Sequence, residues 1–175
     1  MDIQKLSQDI KTVKSRLELH KNHKECTFVL GATGGGKSTL ISYLGGAKFT
    51  VGKKGLGYVI SHNNSKFPEI GNTKTSCTDV PSYYPFINNT VFYDPPGFVD
   101  SRGLHQQILN SYSNAKMFKV GTSARIILVV ELSTLRSSRG AAFVGITDRL
   151  YDLFESDFDK VTNCCLLVIS KVNPK

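Results

Sequence analysis

Apolar residues recur at Ile3, Leu6, Ile10, Val13 and Leu17, three and four positions apart, with polar and charged residues between them. That spacing draws one narrow stripe along a helix and predicts an amphipathic N-terminal helix within residues 1–24. The stripe suits a helix packed on its own domain better than an intermolecular coil, because it is shorter than the roughly three to four heptads that specify one. From residue 25 the period changes. Cys26-Thr-Phe-Val-Leu30 reads as a buried strand, a glycine-rich turn follows, and Ser38-Thr-Leu-Ile-Ser-Tyr-Leu44 opens a helix that Gly45-Gly46 closes. The polar stretch 47–81 holds one strand-like run, near Tyr58 to Ser61, and otherwise reads as a loop longer than a compact core tolerates without a functional reason. Strand-like runs follow near Tyr83 to Ile87 and Thr90 to Tyr93, then a turn at Asp94-Pro-Pro-Gly97 and a helix-compatible segment from Leu104 to Phe118. The last third predicts a buried strand from Ala124 to Val130, a helix over 140–155 and a buried strand from Cys164 to Ile169.

Strands that are apolar throughout must be buried on both faces, so the alternation of such strands with helices predicts an α/β fold with a mainly parallel sheet. The expected architecture is three layers, αβα, over residues 25–175, preceded by the N-terminal helix. In such sheets ligands bind outside the carboxyl ends of the strands.

With 175 residues the chain fits one domain, and no repeat or low-complexity block divides it. Twenty-two basic against 14 acidic side chains leave a formal charge of +8, which favours phosphate-rich partners without naming one. No nucleic acid is expected. Lys11, Lys14, Arg16, Lys21 and Lys24 give the first helix a basic surface suited to peripheral contact with anionic lipid. No apolar run is long enough to span a bilayer and Met1 to Ile10 lack the apolar centre of a secretory signal, so a soluble cytoplasmic protein is expected. Cys26, Cys77, Cys164 and Cys165 show no metal-binding spacing and are expected to be reduced, three of them buried in apolar runs. Asn63-Asn64-Ser65 and Asn88-Asn89-Thr90 match the glycosylation acceptor, which has meaning only on a secretory route.

Gly31-Ala32-Thr33-Gly34-Gly35-Gly36-Lys37-Ser38 matches G-x-x-x-x-G-K-[ST], the phosphate-binding loop. With this composition such a match arises by chance in roughly 2% of chains this long, before a strand is required ahead of it and a helix behind. The glycines let successive amides face a phosphate, and the helix opening at Ser38 and Thr39 adds its positive end. Lys37 supplies a cation for the β- and γ-phosphates, and the Ser38 hydroxyl is suited to ligate Mg²⁺. Val91-Phe-Tyr-Asp94-Pro-Pro-Gly97 is the second anchor: an apolar strand ending in a carboxylate for the Mg²⁺ shell, with Gly97 placed to sense the terminal phosphate. Between them, Asn72-Thr-Lys-Thr75-Ser-Cys-Thr78 offers a threonine that closes over the nucleotide and ligates Mg²⁺; Thr75 and Thr78 both qualify, Thr78 being preferred for its shorter distance to the next strand.

GATGGGKS, the threonine-containing loop, DPPGFVDSRG and Ser170-Lys-Val-Asn173 occur in the order used by small GTPase domains, and the chain resembles most the septin, chloroplast-import and immunity-associated branch over about residues 25–173. The resemblance implies a phosphate-loop NTPase fold that binds GTP or GDP with Mg²⁺. It also implies nucleotide-dependent movement around 71–80 and 95–105, and dimerisation across the nucleotide face; the N-terminal helix is a second candidate dimer contact. Lys171 and Asn173 then fall where such domains read guanine. Asn173 replaces an aspartate that accepts two hydrogen bonds from the base, so guanine discrimination is expected to be weaker unless another carboxylate contributes. Phe98 stands where Ras-like enzymes carry a water-orienting glutamine, so hydrolysis is expected to be slow. The sequence stops two residues after Asn173, and truncation of a longer protein is expected. Arg102, Arg136 and Arg139 are candidate cations for a transferring phosphoryl group and His105 a candidate to orient water, although surface roles are preferred for all four. The reading is a GTP-binding switch with low GTPase activity; a scaffold with a structural nucleotide and an ATP-binding NTPase are the alternatives.

Overall fold

A computed structural model of the chain describes residues 2–18, 25–54, 57–71, 82–87, 90–96, 103–119 and 123–172. In chain order the elements are α1 (Ile3–Glu18), β1 (Glu25–Gly31), α2 (Lys37–Leu44), β2 (Thr50–Lys54), β3 (Gly57–Ser61), β4 (Ser82–Ile87) and β5 (Thr90–Asp94). There follow α3 (Leu104–Met117), β6 (Ser123–Glu131), α4 (Leu132–Arg136), a 3₁₀ turn (Ser137–Gly140), α5 (Ala141–Phe154), α6 (Phe158–Asn163) and β7 (Cys165–Ser170).

Five strands form one sheet in the order β4-β5-β1-β6-β7. β5, β1, β6 and β7 run parallel, and β4 closes one edge antiparallel to β5. β1 lies at the centre because its side chains are apolar on both faces. Cys26, Phe28 and Leu30 enter one buried cluster with Val91, Tyr93, Ile126, Leu128 and Val130. Val29 points the other way, into a cluster with Ile41, Phe92 and Val129. The first cluster is completed by α1, α3, α5 and α6 through Val13, Leu17, Leu109, Met117, Ile146, Leu150 and Val161, and the second by α2 through Ile41. Helices therefore lie on both faces of a mostly parallel sheet. Phe28 fixes the packing of the larger cluster, its ring centroid 5.2 Å from Tyr93 and 4.6 Å from Phe118.

Several expectations need correction. The stretch 47–81 holds β2 as well as the expected β3; the two form a separate antiparallel hairpin in which Val51 opposes Ile60, so cross-strand pairing makes a strand of Thr50-Val-Gly-Lys-Lys54 that periodicity alone does not mark. The short helices α4 and α6 were also not anticipated, each being too brief to show a helical period. Burial on both faces fails at β7, where Leu166, Leu167 and Ile169 are 59, 46 and 45% exposed. This strand is the sheet edge, and among the described residues nothing pairs with its outer side. Cys164 lies in the turn before β7, and it and Cys165 are half-buried, leaving Cys26 as the fully buried thiol among the described cysteines.

The N-terminal helix packs on its own domain. Val13 and Leu17 are buried, Leu6 and Ile10 half-buried and Ile3 exposed, so the stripe is consumed progressively along the helix. Asp9 Oδ2 lies 2.9 Å from His105 Nε2 and ties α1 to the first turn of α3. Among the described residues no helix is long and apolar enough to cross a membrane.

The two ends of the stripe should respond differently to truncation. Leu17→Ala is expected to lower stability by about 2–5 kcal/mol, because a cavity forms under α1. Ile3→Ala should change it by less than about 0.5 kcal/mol. Urea denaturation of both variants checks the contrast.

Candidate functional site

The carboxyl ends of β1, β5, β6 and β7 lie side by side, and each carries polar chemistry. At β1 the chain leaves the sheet through Gly31, whose φ of +146° belongs to glycine. A Cβ built there would lie 2.3 Å from the Val129 carbonyl oxygen on β6, so no side chain fits. The loop then turns tightly, the Gly35 amide donating to the Ala32 carbonyl at 3.1 Å, with Gly34 and Gly36 left-handed at φ +75° and +98°. Gly36 is the N-cap of α2 and brings no side chain to it, so the first-turn amides of Lys37, Ser38 and Thr39 have no side-chain cap.

Lys37 is only 7% exposed. Its ammonium donates to the Ala32 carbonyl at 3.1 Å and the Gly31 carbonyl at 3.3 Å. Burial drives its pKa below the ordinary lysine range, and the Asp94 carboxylate opposes that shift. Asp94, the last residue of β5, is 1% exposed. Its Oδ2 accepts from the Ser38 hydroxyl at 2.7 Å, whereas Oδ1 is buried and finds no hydrogen-bond partner among the described residues. Burial raises the Asp94 carboxyl above the usual carboxylate range, and Lys37 and then Ser38 act against it. Both charges are thus disfavoured by the same dry surroundings and support each other. A buried carboxylate oxygen without a donor is an unusual feature, and a cation is the group that would satisfy it.

At β7 the Ser170 hydroxyl donates to the Gly35 carbonyl at 2.6 Å and lies 3.5 Å from the Val130 carbonyl. Ser170 therefore abuts the glycine-rich loop directly. Lys171 follows with φ +52°, left-handed for a side-chain-bearing residue, and its ammonium reaches Glu131 Oε2 at 3.0 Å. The Ser133 hydroxyl donates to Glu131 Oε1 at 2.7 Å. That bond, with Lys171 adding to it, holds the Glu131 carboxyl below its usual range.

The structure thus brings together Gly31 to Thr39 and Asp94, with Ser170 against the loop and Lys171, next in the chain, turned to Glu131. Thr75, Thr78, Gly97, Arg102 and Asn173 lie outside the described residues. Arg136 ends α4 on the surface, and His105 is engaged with Asp9. Among the described residues no cluster of three or more His, Cys, Asp or Glu forms a protein-only metal cage. Ser38 and the Asp94 oxygen that lacks a donor among the described residues are a donor set that would suit an ion of the Mg²⁺ type, which takes one or two protein ligands and fills its remaining positions with water and phosphate.

Compared with protein-family models, curated proteins and solved structures, the chain matches none. The functional reading rests on the site.

Sequence reasoning missed two parts of this arrangement. Glu131 ends the apolar run Ile-Leu-Val-Val130 as Asp94 ends Val-Phe-Tyr93, and that repeated pattern of an acid closing a buried strand was the available signal. The second part is His62, whose Nε2 lies 3.0 Å from the Pro68 carbonyl and 3.1 Å from Ser42 Oγ. A carbonyl only accepts, so Nε2 carries the proton; Ser42 passes its own hydroxyl proton to the Ser38 carbonyl at 2.8 Å. Phe49 and Phe67 pack edge-on around the ring and fix it. Nothing in the local sequence marks this link between the loop after β3 and α2.

Two glycines of the loop separate strain from collision. Gly34→Ala, where a Cβ meets nothing within 4 Å, should cost about 1–2 kcal/mol for its left-handed backbone alone. Gly31→Ala adds the clash with Val129 and should cost clearly more, as read by denaturant midpoints of the two variants.

Proposed function

We propose that the chain binds a guanine nucleoside triphosphate with Mg²⁺ and acts as a nucleotide-dependent switch of low intrinsic GTPase activity. The observation that carries this reading is the buried pair formed by Lys37, which opens α2 after the glycine-rich loop, and Asp94, which ends the neighbouring strand β5, with one Asp94 oxygen lacking a donor among the described residues. A polyphosphate would give the Lys37 ammonium anionic partners in place of the two loop carbonyls, and the loop and first-turn amides supply donors for the phosphate oxygens. Ser38 and Asp94 would hold the Mg²⁺, which when bound neutralises charge on the β- and γ-phosphates. Ser170 and Lys171, hydrogen-bonded into the same region, are the basis for placing the base beyond the loop on the β7 side. Slow hydrolysis is part of the proposal because Phe98 replaces a water-orienting side chain. The switch component draws on the position of Thr78 and Gly97 in the chain, between elements that form the site.

Titration with a fluorescent GTP analogue tests the reading. Saturable Mg²⁺-dependent binding is expected for the wild type and a loss of at least about 100-fold for Lys37→Ala, the scale of losing a charge-assisted phosphate contact in a dry site. Binding untouched by that substitution would overturn the assignment, and displacement by ATP as strong as by GTP would overturn its guanine component.

A pH series gives an independent check. A proton held on Asp94 competes with Mg²⁺, and its pKa is raised, so the strengthening of nucleotide binding by Mg²⁺ should grow as pH rises from about 5 to about 8. Asp94→Asn should show little Mg²⁺ effect at any pH in that range. Isothermal titration with and without Mg²⁺ reads both.

A further inference from the structure

Glu131 and Ser170 are the last register partners of β6 and β7, so the two strands leave the sheet together beside the phosphate-binding loop. Ser170 is spent on the Gly35 carbonyl, and the next residue, Lys171, takes a left-handed backbone. Its side chain then returns to Glu131 rather than extending into solvent. Glu131 is itself oriented: Ser133 occupies one carboxylate oxygen and Lys171 the other. With both oxygens engaged, this carboxylate is built to hold a neighbour. Lys171 remains 53% exposed at its side chain, against 31% for Glu131, so its stem is available to a ligand while its ammonium is fixed.

We propose that Glu131 is a positioning residue for nucleobase binding, tethering Lys171 so that the lysine stem stands pre-arranged on the base side of the phosphate-binding loop. The inference rests on the nucleotide reading above and names a determinant of its base end. A free lysine loses much rotamer freedom when a ligand packs on it; a tethered one has lost it already, so the gain appears as affinity for the base-bearing ligand and not for the phosphate chain alone. An ordinary surface ion pair would contribute little and discriminate nothing.

The test uses the full chain, Mg²⁺ and two probes, GTP and inorganic tripolyphosphate, each displacing a ribose-labelled fluorescent GTP analogue. Glu131→Ala is expected to weaken GTP about fivefold to tenfold and to leave tripolyphosphate within about twofold. Lys171→Ala should behave alike, and the double variant should be no worse than Lys171→Ala, since the carboxylate acts through the lysine. Glu131→Gln, which keeps acceptor and donor atoms at the same reach, should lose less than Glu131→Ala. Melting temperatures within about 2–4 °C of wild type show that the variants fold. Unchanged GTP affinity would reduce the pair to a surface contact and overturn the inference. Equal loss for both probes, or additive losses in the double variant, would overturn it too, by placing the effect in the loop or in unrelated contacts. A wild-type protein that bound neither probe would overturn the nucleotide reading and this inference together, whereas the preceding outcomes leave that reading standing.

Discussion

A lysine ammonium buried at the end of a parallel sheet must be surrounded by oxygen, and that demand organises the whole site around Lys37. In a dry interior an unpaired charge is driven toward its neutral form. Here two carbonyls of the preceding loop and the nearby Asp94 carboxylate supply the compensation. The loop can present those carbonyls only because its path is tight, and the path is tight because Gly31 runs against the Val129 carbonyl with no room for a side chain. Backbone geometry at one glycine and electrostatics at one lysine are thus two halves of one arrangement. Asp94 joins it from β5 at a cost of its own, retaining one oxygen that finds no donor among the described residues.

The groups involved sit on the most firmly packed part of the molecule. β1, β5 and β6 contribute buried residues to both faces of the sheet, so their carboxyl ends are held by Phe28, Tyr93, Val129 and their neighbours. Local opening free energy follows buried contacts, and a site on core strand ends is correspondingly rigid. Two further ties extend this frame outward. Ser170 fastens β7 to the loop, and His62 fastens the segment after β3 to α2 through Ser42, one turn from Ser38. The second tie couples the loop after β3 to the position of α2, because the Nε2 proton is shared between the Pro68 carbonyl and Ser42.

Much of this was legible from the residues alone. The glycine pattern ahead of Lys37 and the acid closing Val-Phe-Tyr93 located the loop and its carboxylate because each is local: a few adjacent residues dictate both conformation and chemistry. The central strands were legible because a continuous apolar run is satisfied only where both faces of a strand are covered. What escaped depends on partners distant in the chain. β2 becomes a strand by pairing with β3, Glu131 finds Lys171 forty residues on, and His62 meets Ser42 across a hairpin. β7 shows the reverse error, since an apolar run signals burial but says nothing about whether the neighbouring layer is present.

That strand has a consequence of its own. Cys165-Leu-Leu-Val-Ile-Ser170 is six residues long, uncharged and free of proline, and among the described residues its outer edge is unpaired. Such a segment is a template for cross-β stacking between molecules. The first charge after it is Lys171, a residue type that disfavours edge-to-edge pairing where it borders an exposed strand. The residue that follows the strand end against the glycine-rich loop therefore also borders the exposed edge, so a change of charge there is expected to alter colloidal behaviour as well.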